Sequence, residues 1–162
     1  MFYLVYMEKI QIFGDASKYG ITTTTDLMAM VKTLAIDKKI PVGMFLTQAS
    51  NVQVVYRLVC TSVPEIKNER MSKQQWEKAS DFLGILQDAP LYLDDTPEPS
   101  LSSIKEKIMQ LKEEHGVKVF VFDRLPQSCE DNTVLEEIAR TYEVVILVRC
   151  CKDSILVHQI PC

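Results

Sequence analysis

VKVFVFD, residues 117–123, is the strongest strand signal in the chain: a short, almost unbroken apolar run closed by an acid. A run of this kind suits a strand whose sheet is covered by helices on both faces. Just upstream, residues 101–115 carry Leu101, Ile104, Ile108 and Leu111 on one helical stripe, and Gly116 supplies the stop. Before that helix LYLD (91–94) reads as a strand, and Pro97 and Pro99 in DDTPEPS block any further ladder or helix. Downstream, a helix over about 132–142 leads into the strand VVILVR (144–149), with ILVHQI (155–160) as a further strand candidate.

The first half repeats the rhythm. KIQIF (9–13) reads as a short strand ending at Gly14, followed by a helix from about Thr24 to Lys38 with Leu27, Met30, Val31 and Leu34 on one face. VGMFLT (42–47) is another covered strand, and residues 51–61 read as a helix containing Val54, Val55, Leu58 and Val59. Ser72 with Gln75 three residues on forms a capping-box pattern ahead of Trp76, Ala79, Leu83 and Leu86 at helical spacing. Strand and helix in alternation predict an α/β fold, a mostly parallel sheet with helices on both faces, as a single domain over residues 1–162. In such a sheet the ligand crevice lies beyond the carboxyl ends of the strands. The informative positions are therefore those just after Phe13, Leu46, Leu93, Phe122 and Val148.

Composition narrows the class. With 162 residues, 47% hydrophobic and 25% charged, the chain matches globular averages, which excludes a disordered, collagenous or coiled-coil protein. No apolar run reaches the roughly 18–20 residues of a membrane span. The opening MFYLVYMEKIQIFG has neither a basic leader nor a small-residue cleavage site, so a strand and not a signal peptide is expected there. Five cysteines (Cys60, Cys129, Cys150, Cys151, Cys162) without a CxxC pair argue against a disulfide scaffold or a zinc site, and for the reducing cytoplasm. A net charge of −4 gives no general attraction for phosphate backbones.

Few residues carry chemistry. GDASKYGITTTTD (14–26) stands where a phosphate-binding loop would lie, between a strand and a helix opening in threonines. Gly20 and Thr22 are placed to supply the turn and a magnesium-binding hydroxyl. Ile21, however, occupies the lysine position, and Gly14 to Gly20 is one residue too long for GxxxxGK[ST]. Lys18 is a conceivable substitute, against the favoured reading of a solvated loop lysine, and helix capping is favoured over metal binding for the threonines. VFVFD ends in Asp123 as a Walker B strand does, with an acid for the Mg²⁺ shell; a turn-starting or capping aspartate is the plainer alternative. Asp94 and Asp95 follow LYL, but neighbours on an extended strand face opposite ways, so turn formation and capping are expected of them. His115 closes a helix, where a cation meets the C-terminal dipole, and His158 is isolated. Cys150 and Cys151 are read as packing thiols, with Arg149 and Lys152 beside them as the only groups that would favour a thiolate.

APLYLDDTPEPSLSSIKEKIMQLKEEHGVKVFVFDRLPQ (89–127) closely resembles the RecA-like motor domain of the bacterial replicative DNA helicase of the DnaB type. The likeness extends upstream through PVGMFLTQASNVQVVYRLV (41–59), where Ser50, Gln53, Arg57 and Leu58 take the places of the family's S-x-x-Q-x-x-x-R-L. ERMSKQQWEKASDFLGILQDAPLY (69–92) carries the family's helix with Trp76, and the whole resemblance covers roughly residues 9–149. It implies a RecA-like P-loop NTPase fold, with ATP and Mg²⁺ as possible cofactors at Gly20, Ile21, Thr22 and Asp123, the magnesium at Thr22 and Asp123.

The departures bear on activity. Ile21 stands at the family's Walker A lysine and Gln48 at its catalytic glutamate. Gln48 cannot take a proton, so general-base help is lost. Arg124 replaces an aromatic after the Walker B acid, and the γ-phosphate sensor glutamine falls at Cys150. The family's later DNA-contacting loops, its arginine finger and its helical N-terminal domain are expected to lack a counterpart, and DNA contact is not expected. The resulting expectation is an ATPase-defective pseudo-motor acting through a protein partner or a homo-oligomer in DNA replication. The alternatives are a nucleotide-binding regulator without turnover, or an active ATP-dependent DNA helicase with an atypical site.

Overall fold

The computed structural model describes residues 13–15, 23–47, 49–66, 70–124, 126–129 and 133–149. In chain order the elements are β1 (Phe13–Asp15), α1 (Thr24–Val31), a π-helical continuation (Lys32–Asp37), β2 (Val42–Phe45) and α2 (Asn51–Ser62). They continue with α3 (Lys73–Gln87), β3 (Leu91–Asp94), α4 (Leu101–His115), β4 (Val119–Phe122), α5 (Thr133–Tyr142) and β5 (Val145–Val148). The five strands form one sheet in the order β1-β5-β4-β2-β3, with every pairing parallel.

Strand alternation divides the core in two. Val42, Met44, Val119, Val121 and Leu147 face the layer of α1, α2 and α3, where they meet Leu27, Val31, Leu34, Val54, Leu58, Ala79 and Phe82. Phe45, Phe120, Phe122, Ile146 and Val148 face the opposite layer, against Ile104, Ile108 and Leu111 of α4 and Leu135, Ile138 and Ala139 of α5. Phe45 and Phe122 stack with ring centroids 4.6 Å apart. Helices therefore cover both faces, which is why β2 and β4 are apolar at every position. Gly43 is required by this packing: a Cβ there would lie 2.7 Å from the Phe120 ring.

Local signals set most of the boundaries. Ser72 and Gln75 form the expected capping box, and Ser50 with Gln53 forms another at the start of α2. Gly116 ends α4 in the left-handed region at φ 65°, with its N–H on Lys112 and the Val117 N–H on Leu111, a Schellman closure.

Two expectations are corrected and one is refined. The first strand does not end at Gly14: Gly14 pairs with Leu147 and Asp15 with Val148, because β5 offers a ladder that far. Residues 9–12 lie outside the described ones, as does ILVHQI. The helix from Thr24 runs to Asp37, close to the expected end, but its last turns are π-helical: the Thr33 hydroxyl donates to the Ala29 carbonyl at 2.9 Å, and the Lys38 N–H reaches back to Thr33 in a wider turn. On α3 the core stripe is Ala79, Phe82 and Leu86, leaving Trp76 62% and Leu83 41% exposed. Trp76 and Leu83 share a face with each other, seven positions apart, but not with the core-facing stripe.

Candidate functional site

The sheet's backbone ladder continues one residue past the strands. The Leu46 N–H donates to Asp94 O at 2.8 Å, the Asp123 N–H to Phe45 O at 3.2 Å, and the Arg149 N–H to Phe122 O at 3.1 Å. Asp94, Leu46, Asp123 and Arg149 thus stand in a row at the carboxyl edge, the place where an open parallel sheet binds its ligands. β5 separates β4 from β1, so Arg149 lies between Asp123 and the end of the first strand.

Asp123 is 8% exposed. Its Oδ1 accepts both the backbone N–H and the hydroxyl of Thr47, each at 2.9 Å. A buried carboxylate needs such donors, and here they tie the loop after β2 to the end of β4.

At the start of α1, Thr23 is the N-cap, in line with the capping role expected of the threonine run. Its N–H and hydroxyl donate to Asp26 Oδ2 at 2.9 and 2.8 Å, while the Asp26 N–H donates to Thr23 Oγ1 at 3.1 Å. The capping box therefore satisfies the Thr23 and Asp26 N–H groups and places a carboxylate at the positive end of the helix dipole. An open groove of about 390 Å³ adjoins this turn, with Thr24 and Thr25 on one side and Tyr56 and Arg57 of α2 on the other.

Asp94 and Asp95 do not converge. Asp94 Oδ1 accepts from the Thr96 N–H at 3.0 Å, forming the expected turn, and its Oδ2 lies 3.9 Å from Lys107 Nζ. Asp95 Oδ2 accepts from the Asn51 N–H at 3.0 Å and so caps α2 from 44 positions away. Among the described residues no group of three or more His, Cys, Asp or Glu side chains is placed to hold a metal ion. Gly20, Ile21, Thr22, Gln48, Lys18 and Cys150 lie outside the described residues.

Sequence reading placed Arg149 at the end of a strand, at an informative position after Val148, but gave it no role beyond that of a cation beside Cys150. The structure gives it a different setting. Leu147 packs against the α1–α3 layer and Val148 against the other, so alternation returns Arg149 to the α1–α3 side, as it does Asp123 after Val121 and Phe122. Arg149 is half-buried, and its Nε is shielded from solvent with no hydrogen-bond partner among the described residues. Leaving such a donor unsatisfied costs about 1–3 kcal/mol. The signal available in the sequence was a cation directly after a buried strand, at its carboxyl end.

The family profile of the DnaB-like helicase C terminal domain matches residues 8–155. The replicative DNA helicase DnaB of Nostoc sp. (strain PCC 7120 / SAG 25.82 / UTEX 2576) is 27% identical over 129 residues, which is 75% of this chain and 15% of that protein. The replicative DNA helicase DnaB of Geobacillus stearothermophilus is 26% identical over 114 residues, 68% of this chain and 25% of that protein. The chain thus spans a small part of the length of these relatives. In three dimensions it is similar to a DnaB-like replicative helicase, described with its interactions with primase, with a TM-score of 0.66 at 19% identity over 78% of this chain and 35% of that one. A second solved structure, an ATPase domain, superposes with a TM-score of 0.67 at 18% identity over 78% of this chain and 51% of that one. The structural likeness shows a RecA-like fold, and the profile match covers most of the sequence: the chain belongs to the DnaB-like helicase C-terminal domain family.

Proposed function

We propose that this chain is a DnaB-type domain that keeps the motor scaffold but not ATP hydrolysis, and that acts in the cytoplasm through protein contacts in DNA replication. The observation that carries this reading is the first turn of α1, where Asp26 and Thr23 satisfy each other and place a negative charge at the helix end a nucleotide's phosphates would need. Ile21 at the lysine position and Gln48 at the base position support the same reading. Each lost group acts on transition-state charge or on the nucleophile, so their joint loss lowers turnover by orders of magnitude. The partner is a second copy of the chain or a replication protein; primase is the partner class named for one structural neighbour.

Calorimetric titration of ATP with Mg²⁺, with phosphate release measured alongside, tests the proposal. The expected result is no phosphate release by the wild type. Turnover that Asp123→Ala abolishes would overturn it and return the chain to the active helicases with an atypical site. A second reading, nucleotide binding without turnover, is favoured by the Arg149 Nε, which has no partner among the described residues.

A further inference from the structure

We infer that Arg149 is an anion-binding residue that takes a phosphoryl group of a polyphosphate ligand at the carboxyl edge of the sheet. The inference deepens the reading of nucleotide binding without turnover, and rests on it for the place of the site but not for the nucleoside part of the ligand. Four observations lead there. Arg149 follows β5 directly, one strand from Asp123 and one from the end of β1. Its side chain belongs to the α1–α3 side, the side to which the chain returns after β1. It takes part in none of the ion pairs formed by the described residues, although Asp123 is next to it; that carboxylate is engaged by Thr47 instead. Its Nε is out of solvent without an acceptor among the described residues.

The chemistry of the ligand follows from the atom left unpaired. A guanidinium that offers Nε together with a terminal nitrogen presents two parallel N–H groups, the fork that matches two oxygens of a phosphate or carboxylate. An ammonium, as at the family's lysine position, offers a point charge without that edge. Arg149 offers that fork at the end of β5, in a chain that has Ile21 at the family's lysine position.

The test is calorimetric titration of tripolyphosphate, ATP and a short single-stranded oligonucleotide into the full chain in magnesium-free buffer, because the contact is made by the guanidinium. The wild type is expected to bind tripolyphosphate and ATP, Arg149→Gln to bind both at least tenfold more weakly, and Arg149→Lys to fall between. Thermal melting checks that both variants fold, and the lysine variant carries the comparison if the glutamine variant does not. Tripolyphosphate binding that depends on Arg149, with no gain from the adenosine of ATP, upholds the inference while sinking the nucleotide reading. Binding that is unchanged in both variants overturns the inference and leaves nucleotide binding standing. No binding by the wild type overturns both. An Arg149-dependent affinity for the oligonucleotide alone overturns it in favour of a nucleic-acid surface.

Discussion

Thr47 and Asp123, 76 positions apart, are joined by two bonds to one oxygen: the Thr47 backbone N–H and its hydroxyl each lie 2.9 Å from Asp123 Oδ1. The contact locks the carboxyl end of β2 to that of β4, next to the strand bearing Arg149. Replacing Thr47 by Val keeps the shape but removes one donor to a buried carboxylate, and is expected to cost about 1–3 kcal/mol in urea unfolding. Thr47→Ser should recover most of it. Equal midpoints for the valine variant and the wild type would show that the hydroxyl contributes nothing.

Asp95 holds the first N–H of α2 from the end of β3, a cap supplied from outside the helix. Asp95→Ala should destabilise the fold by about 0.5–2 kcal/mol, the range for a lost cap. Asp95→Asn keeps an acceptor oxygen and should lose less. Chemical denaturation of the pair decides it, since identical losses would mean that charge and not the hydrogen bond is responsible.

Gly43→Ala places a methyl 2.7 Å from the Phe120 ring in the layer between sheet and α4. Overpacking of this kind costs about 1–3 kcal/mol. The double variant Gly43→Ala with Phe120→Leu relieves the clash, so its loss should fall below the sum of the two single losses. Strict additivity in thermal unfolding would refute direct contact.

Glu65 accepts a hydrogen bond from Lys78 at 2.8 Å. That bond, first, then a backbone hydrogen bond and the ammonium charge hold its carboxyl below the ordinary carboxylate range. Because the folded value is the lower one, the contribution to stability is present above the unfolded value and is lost as pH falls through the folded one. Both groups are solvent-exposed, so the effect on stability is small and screened by salt. The clear readout is an NMR titration: Lys78→Met should raise the Glu65 midpoint, and an unmoved midpoint would show that the pair does not form in solution.

The local grammar of this chain was legible because its causes are local. VKVFVFD had to be a covered strand, Leu101–His115 an amphipathic helix stopped by Gly116, and Ser72 with Gln75 a helix start; all three stand in the structure. The α3 face was misassigned because Trp76 and Leu83 obey helical spacing among themselves, and periodicity alone does not say which of two stripes meets the sheet.

What the sequence by itself determined was the element order and the parallel class of sheet. The tertiary structure alone decided that β5 lies between β1 and β4, that Asp95 caps α2, that Thr47 engages Asp123, and that the Arg149 Nε is left without a partner among the described residues. The physical reason is range. Propensity, capping and amphipathic spacing act within a few residues and mark the sequence, whereas strand order and the company a side chain keeps at the sheet's edge depend on pairings between distant segments, which leave no periodic trace.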